Sequence, residues 1–340
     1  TDWVGLRATY GTSYRAPALF EQFLGATAGF LASTTDVCND YDAAGRNPNL
    51  AANCASEGLP PGFTATSSVR QLNAGGAAAG LAAETSTNFT GGVVFTPTLP
   101  GRLGTLAVAV DYYDIQIDNG VSQVGSAFIL NQCYTSSAAD FAAGAGYCAF
   151  VERAPVTNSL TVTNGYVNIA TNVVEGIDYN LRYRNSFGPG DFLVNLNVTQ
   201  YLERYNQLFP TDPIYTLVGR LGTPEYSASM NVQYSWDQWS VFWGTEWIDA
   251  TTEEDDYFRR NGQSLKSFGI DSDLEEYFLH SASVRWGNDD LSVVMGVRNV
   301  FDVDPPSGTG YWVGGIGNSP TYSGYDQFGR TLFFNVAKSF

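Results

Sequence analysis

The chain has 340 residues, of which 15% are charged and 14% aromatic, and its formal net charge is −17. That charge excludes nucleic acid as a natural partner, because nucleic-acid sites are basic. One histidine leaves little material for a metal centre or a general base. No stretch approaches the roughly 18 consecutive apolar residues that a membrane-spanning helix needs, although the short, half-apolar strands of a membrane β-barrel would not show in such a search.

Apolar and polar residues alternate in about ten segments, which is the pattern of strands with one apolar and one polar face. The first segment starts almost at the beginning of the chain, so we expect the sequence to be the later part of a longer polypeptide. The predicted strands are 4–10, 89–95, 106–112, 177–183, 192–198, 226–236, 241–247, 278–286, 291–301 and 332–340.

Short turns and long polar connections interleave along the chain, as in bacterial barrels with tight periplasmic turns and long extracellular loops. The sequence therefore predicts that residues 1–340 form one portion of a barrel, with the long loops outside the cell. These predicted loops are near 15–83, 118–165, 203–214, 249–272 and 304–325.

Charges on the polar face distinguish a barrel from a soluble sandwich, whose packed core could not bury them cheaply. Tyrosine and tryptophan also cluster at strand ends, as in interfacial girdles. The last strand ends on an aromatic residue, and Phe334, Val336 and Phe340 are its candidate membrane-assembly signal. The sequence thus predicts an all-β, transmembrane antiparallel β-barrel in a lipid bilayer. Either the ten strands close on themselves or an upstream part completes the ring, because open edges cannot face lipid.

Four cysteines form two local pairs, Cys38 with Cys54 and Cys133 with Cys148, in stretches rich in Gly, Ala, Asn and Ser. Pairing within each closes a loop of about 15 residues and contributes roughly 3 kcal/mol in the chain-entropy model. Two disulfides predict an oxidising compartment. Zinc is the alternative, but the chain lacks Cys-x2-Cys spacing, and His280 lies far from both pairs.

Five segments resemble motifs of TonB-dependent outer-membrane receptors, in that family's order. Residues 14–21 resemble its S-x-G-F-R-A-P-x-L-x-E-L segment, and residues 81–86 its L-x-P-E-x-S motif. Residues 175–179 are similar to x-G-x-[DE], 296–302 to G-V-x-N-L-F-D, and 329–333 to G-R-x-[YF]. The resemblance implies a roughly 22-stranded barrel with an N-terminal plug, of which this chain covers about the last ten strands.

The resemblance further implies a Gram-negative outer-membrane receptor that imports a scarce solute with energy from the TonB complex. The barrel assembly machinery would insert it, and the plug and TonB-binding segment would lie upstream of Thr1. The resemblance does not decide the ligand class, which is an oligosaccharide, a siderophore or a cobalamin-like compound. The aromatic, acidic and weakly basic loops favour a neutral or cationic ligand over an anionic ferric siderophore.

Ligand-binding candidates come from the loops. Aromatic faces there could stack on sugar rings or an aryl chelator, and an acidic run could bind a cation, although its spacing is not a calcium-loop signature. The Arg-Ala-Pro turn could instead be a scaffold. No cofactor, metal or catalytic residue is predicted. The candidates are Tyr14, Arg15, Asp255, Asp256, Tyr311, Trp312, Tyr322 and Tyr325.

Two other functions are compatible with parts of the sequence. A hydrolytic enzyme needs a histidine beside a nucleophile or carboxylate, and His280 falls on the apolar, lipid-facing stripe with Phe278 and Ala282. A structural or adhesive barrel that presents disulfide-stapled loops to a partner protein is the stronger alternative, and the absence of a plug would distinguish it.

Overall fold

The computed structural model describes residues 3–77, 80–210, 212–288, 290–309 and 324–338. Its main element is an antiparallel sheet, which confirms the all-β class. The strands are β1 (Val4–Arg15), β2 (Thr27–Leu31), β3 (Val69–Ala74), β4 (Glu84–Phe95), β5 (Thr105–Gln123), β6 (Val151–Arg153), β7 (Leu160–Phe187), β8 (Gly190–Gln207), β9 (Tyr226–Trp236), β10 (Trp239–Ile248), β11 (Tyr277–Gly287), β12 (Leu291–Arg298) and β13 (Thr331–Lys338).

Ten of these strands form one continuous path in the order β1-β4-β5-β7-β8-β9-β10-β11-β12-β13, and each pairs antiparallel with its neighbours. They correspond to the ten alternating segments of the sequence. Within the described ranges no pairing joins β1 to β13, so the path has two open edges. The sheet therefore has the form of a partial barrel.

Strand register places apolar and polar residues in separate rows across the sheet. One row runs across β1, β4, β5, β7 and β8 as Leu6, Val93, Val110, Tyr179 and Val198. We call the face that carries this row the apolar face, and the opposite one the polar face. Leu6 is 81% exposed on the apolar face. A soluble monomer rarely exposes such an extended apolar surface, which marks this face as one that contacts lipid or another protein.

The loop ends of the strands carry more structure than the sequence predicted. β7 extends beyond the main sheet and pairs in parallel with β3 and antiparallel with β6, while β2 pairs with β3. β5 runs to Gln123 and β8 to Gln207, both past the predicted strand ends. The predicted loops 15–83 and 118–165 thus contain three short strands and four helices.

The described helices are short and lie in the connections. None of them is long and apolar enough to cross a membrane. They are α1 (Leu19–Phe23), α2 (Pro48–Ser56), α3 (Ser126–Tyr134), α4 (Ala138–Ala142) and α5 (Glu254–Asn261), with 3-10 turns at Ser33–Thr35, Gly146–Phe150 and Leu265–Phe268.

The largest buried cluster lies in two connections, 16–83 and 124–159, and at the start of β7, rather than in the main sheet. We call this unit the stapled module. Both disulfides belong to its core. Its buried apolar residues are Cys38, Tyr41, Leu50, Cys54, Leu59, Val69, Val124, Ile129, Leu130, Cys133, Tyr134, Cys148, Leu160 and Val162.

Candidate functional site

The stapled module confirms both predicted disulfides. Cys38 is bonded to Cys54 and Cys133 to Cys148, with Cα–Cα distances of 5.7 and 4.7 Å. The Cys38–Cys54 bond joins a turn to α2, and the Cys133–Cys148 bond joins α3 to the 3-10 turn Gly146–Phe150. Each disulfide fixes one connection, and their shared core packs the two connections against each other.

A polar contact reinforces the packing between the two connections. The Asn53 side chain, 1% exposed on α2, donates to the carbonyl oxygens of Tyr134 and Ser136 at 2.9 and 3.1 Å. These carbonyls lie at and just beyond the end of α3, where helical backbone acceptors lack intrahelical donors. One buried amide therefore holds α2 against the end of α3.

Arg153 is the charged centre of the stapled module. Its side chain is 2% exposed and donates two hydrogen bonds of 2.8 Å to the Asp36 carboxylate. Its Nε donates to Glu57 at 2.6 Å and to the Tyr134 hydroxyl at 3.1 Å. Burial raises the pKa of Tyr134, so this phenol stays protonated at neutral pH. A buried guanidinium with this many partners is a fixed structural element rather than a free ligand contact.

A second ion-pair cluster, which we call the clamp, lies where β1 leads into its loop. Arg15 is at its centre. The Arg15 guanidinium donates to both oxygens of Glu84 on β4, at 2.6 and 2.7 Å, and to both oxygens of Glu21 on α1, at 3.0 and 3.1 Å. Glu21 also accepts the backbone N–H of Ala18 at 2.6 Å. These contacts, with the Arg15 hydrogen bond as the larger cause, lower the pKa of Glu21. Arg15 thus fixes the direction in which the loop leaves β1.

Tyr14 is not part of that clamp. Strand alternation places it on the apolar face with Leu6 and Tyr10, and its side chain is 78% exposed. Arg15 and Tyr14 are therefore adjacent in sequence but lie on opposite faces of the sheet.

The polar face carries a row of charged side chains that runs across neighbouring strands. Arg7 on β1 reaches Asp111 on β5 with an Nε–Oδ1 distance of 2.6 Å, passing over β4 at Gly92. A Cβ at Gly92 would lie 2.0 Å from Asp111 Oδ1, so only glycine leaves room for this bridge. On the next strands, Thr199 donates to Asp178 at 2.7 Å. The charged side chains of this row are thus each bound by a partner on another strand.

The acidic run 253–256 is only partly available to a ligand. Arg220 donates to Glu253 Oε2 at 2.6 Å and lies 3.2 Å from Asp256 Oδ2. Asp256 is 4% exposed, whereas Asp255 is exposed at the side of α5. Among the predicted acidic candidates, Asp255 faces an open cavity and Asp256 belongs to an internal ion-pair cluster.

That cavity of about 450 Å³ lies between α5 and the strand-like segment near Leu274. Asp255, Lys266 and Asp273 contribute charged groups to its wall. Lys266 Nζ lies 2.6 Å from Asp273 Oδ2, and this contact, followed by a hydrogen bond from Thr252, lowers the pKa of Asp273. Within the described residues no group of acidic, histidine or cysteine side chains has the arrangement of a metal site.

The aromatic candidates of the last loop divide into two groups. Tyr325 is 7% exposed and packs edge-on against Tyr277, with ring centroids 5.2 Å apart, and burial raises its pKa. It belongs to a second buried cluster with Leu274 and Leu279. Tyr311, Trp312 and Tyr322 lie outside the described residues.

The predicted assembly signal falls on β13. Phe334 and Val336 are exposed on the apolar face, opposite Met295 and Val293 of β12. Phe340 lies outside the described part of the chain. This placement suits an edge strand with a lipid-facing side.

Sequence reasoning missed the residues that organise the loops. Arg153, Asp36, Asn53 and Arg220 belong to none of the motifs identified in the sequence. Their roles come from contacts between distant segments, and the only available signal was the scarcity of basic residues in acidic loops.

Comparisons with known proteins agree with this architecture. The family described as "TonB dependent receptor-like, beta-barrel" matches residues 1–300. A variant of the ferric enterobactin receptor from Pseudomonas aeruginosa in complex with enterobactin superposes with a TM-score of 0.62 at 17% identity, over 100% of this chain and 39% of that one. No curated protein matches the sequence.

The siderophore receptor PirA from Acinetobacter baumannii gives a TM-score of 0.57 at 16% identity, over 100% of this chain and 39% of its own. The chain thus spans about two fifths of the length of these solved structures, and at such identities the likeness shows the fold alone. With ten paired strands and a family match over residues 1–300, the chain belongs to the TonB-dependent receptor β-barrel family.

Proposed function

We propose that the full-length protein is an outer-membrane receptor that binds a scarce extracellular solute and imports it with energy supplied through TonB. The family is one of transporters rather than enzymes, and it resides in the outer membrane. The observation that carries the proposal is the stapled module, an ordered structure of two connections at the loop end of a partial barrel. Further strands and a plug would occupy the open edges and the polar face.

The charge distribution of the loops supports a neutral or cationic ligand. Arg153, Arg220 and Lys266 are each held in ion pairs within the loops. Asp255 is exposed beside an open cavity. The solved structures are described as receptors for ferric enterobactin or siderophores, so a ferric chelate is the competing ligand class.

Equilibrium binding to the purified full-length protein distinguishes these ligand classes. The probes are ferric enterobactin as the anion, cyanocobalamin and a maltodextrin as ligands without strong negative charge, and a cationic ferric chelate. We expect one of the last three to bind most tightly. Tightest binding by ferric enterobactin would contradict the ligand preference but leave the receptor proposal intact.

Transport itself is tested by the size and energy dependence of the mature protein. We expect an intact mass well above the 36.8 kDa of this chain, an upstream plug on N-terminal sequencing, and uptake that ceases when TonB is deleted. A mature protein without a plug would favour the alternative that the stapled module presents a rigid surface to a partner protein. TonB-independent uptake would contradict energised import.

A further inference from the structure

β2 is the edge strand of a small sheet in the stapled module. It pairs antiparallel with β3, and β3 pairs in parallel with the outer part of β7. Within the described residues no strand pairs with the other edge of β2. The backbone N–H and C=O groups along that edge are therefore available to a further strand.

The sequence around β2 lacks the features that protect an exposed edge, which are charged side chains, proline and bulges. Residues 22–35 contain no charged residue and no proline, although the chain has a net charge of −17. The register of β2 with β3 is regular. Phe30 on β2 is 72% exposed, and Leu19 and Phe23 on α1 are 77% and 66% exposed. An apolar patch beside an unprotected edge indicates a surface that another segment covers.

The open edges of β2 and β1 lie on the same side of β7. Just beyond the outer end of β5, the Ser126 hydroxyl donates to the Gln71 side chain of β3 at 2.8 Å. The Asn168 side chain of β7 donates to the carbonyl oxygens of Asn119 on β5 and of Ala82, at 2.8 and 2.9 Å. Ala82 lies on the connection that leads from β3 to β4. β3 therefore takes the place of β5 beside the outer part of β7, and β2 follows it in the direction of β4 and β1.

The direction of the strands allows β1 and β2 to share one neighbour. β1 runs towards the loop end and β7 away from it, because three antiparallel pairings separate them. β3 is parallel to β7 and β2 is antiparallel to β3, so β2 runs outward like β1. A strand that pairs antiparallel with the open edge of β1 runs inward, and its outer extension is then antiparallel to β2 as well.

We propose that the strand that completes the barrel beside β1 extends outward past β1, and that this extension pairs antiparallel with β2. Its backbone would supply the missing hydrogen bonds, and its apolar side chains would contact Phe30, Leu19 and Phe23. The stapled module would then be fixed to the upstream part of the polypeptide as well as to β7. The inference rests on the proposed full-length receptor, since this chain spans about two fifths of the length of the solved structures.

A second copy of the chain fits the edge of β2 less well. Two copies in one membrane are related by an axis along the membrane normal, so both β2 strands would run outward and could pair only in parallel. Parallel pairs are slightly less stable per residue than antiparallel ones. An inward-running strand of the same polypeptide has the direction that the edge favours.

Photo-cross-linking of the full-length protein in outer membranes tests the pairing. Phe30→p-benzoylphenylalanine places a probe beside β2, and Tyr10→p-benzoylphenylalanine, at a 70% exposed position of β1, identifies the strand beside β1. Mass spectrometry identifies the linked peptides. We expect the Phe30 probe to link to residues just N-terminal to those linked by the Tyr10 probe, because the shared neighbour runs inward. Val156→p-benzoylphenylalanine, at a 92% exposed position between β6 and β7, is the control and should not link to this segment.

Links from the Phe30 probe to a second copy, to a different protein or only to the stapled module would overturn the inference and leave the receptor proposal intact. Links from the Tyr10 probe to β13 would instead show that the ten strands close on themselves. That result would contradict the proposed full-length receptor on which the inference rests.

Hydrogen exchange of the unsubstituted full-length protein tests the same pairing without a variant that has to fold. A strand paired on both edges protects all of its amides, whereas a strand paired on one edge leaves alternate amides exposed to water. We expect protection at all five residues of β2. β6, which has no strand on its other edge within the described residues, is the internal reference for an open edge. Fast exchange at alternate amides of β2 would show a free edge and overturn the inference.

Discussion

Arg153 and Asp36, 117 positions apart in the sequence, form a two-bond ion pair in which both side chains are 2% exposed. The pair joins the first long connection to the second, beside the disulfide-bonded core. Burying two charges is costly unless their geometry satisfies both. Here Glu57, Tyr134 and the Asn158 carbonyl accept further hydrogen bonds from the guanidinium, so the pair specifies how the two connections pack.

Asp36→Asn should destabilise the stapled module without unfolding the barrel. The substitution leaves Arg153 buried with an incomplete counter-charge, which costs about 3–5 kcal/mol when one partner of a buried pair is removed. We expect faster hydrogen exchange across residues 33–63 and 126–158, with unchanged exchange in β8–β12. Glu152→Gln, at an exposed neighbour of Arg153, is the matched control. Unchanged exchange in Asp36→Asn would show that the disulfides alone hold the module.

Each disulfide should contribute separately to the stability of the stapled module. Cys38 and Cys54 are 16 positions apart and Cys133 and Cys148 are 15 apart, so each bond removes a similar amount of chain entropy from the unfolded state. Replacing either pair by serine should cost about 3 kcal/mol in the unfolding of the module. Because the two loops share one core, either replacement should speed exchange in both connections. Faster exchange confined to the mutated loop would contradict the shared core.

The sheet was predictable because alternation is a local property. Each strand shows its two faces within about ten residues, and the strand register follows from which face is apolar. The disulfides were predictable for a similar reason, since each pair is close in sequence. The ten strands and both bonds are therefore confirmed.

The packing of the loops was not predictable, because it depends on contacts between remote segments of unremarkable composition. No nearby residue in the sequence identifies Asp36 and Arg153 as an ion pair. The stretches that contain α2 and α3 predict irregular loops rather than helices. The acidic run 253–256 predicts a cation or ligand site, but Arg220, more than 30 residues earlier in the sequence, forms ion pairs with Glu253 and Asp256. Tyr14 and Arg15 were predicted together as ligand-binding candidates, but β1 continues to Arg15, so strand alternation places them on opposite faces of the sheet.

Gly92→Ala should uncouple β1 from β5. The added methyl group would lie 2.0 Å from Asp111 Oδ1 and 3.0 Å from the Val110 carbonyl, so the Arg7–Asp111 bridge must move. We expect a loss of about 1–3 kcal/mol, the usual cost of overpacking, measured by urea unfolding of the full-length protein in lipid vesicles. Gly11→Ala on β1 is the control, because a Cβ there meets nothing within 4 Å. Equal effects of the two substitutions would show that the loss reflects strand propensity alone.

Glu21 should make the loop beside β1 sensitive to acid. Its carboxylate is stabilised by Arg15 and the Ala18 N–H, and its pKa is lowered from the model-compound value of 4.5. A group whose folded-state pKa is depressed contributes stability that is fully present above its unfolded pKa and is lost as pH falls through the folded one. Hydrogen exchange in α1 should therefore accelerate, beyond the intrinsic pH effect, as the pH is lowered from about 5 towards 3.

Glu21→Gln removes this titration and should make the protection of α1 low and independent of pH over the same range. Glu152→Gln, at an exposed carboxylate outside the clamp, should keep the wild-type pH profile. Arg15→Gln should abolish most of the acid dependence as well, because Arg15 supplies the largest contribution to the lowered pKa. An acid dependence that survives in both Glu21→Gln and Arg15→Gln would place the titrating group elsewhere, and the clamp would then be a consequence of the loop conformation rather than its cause.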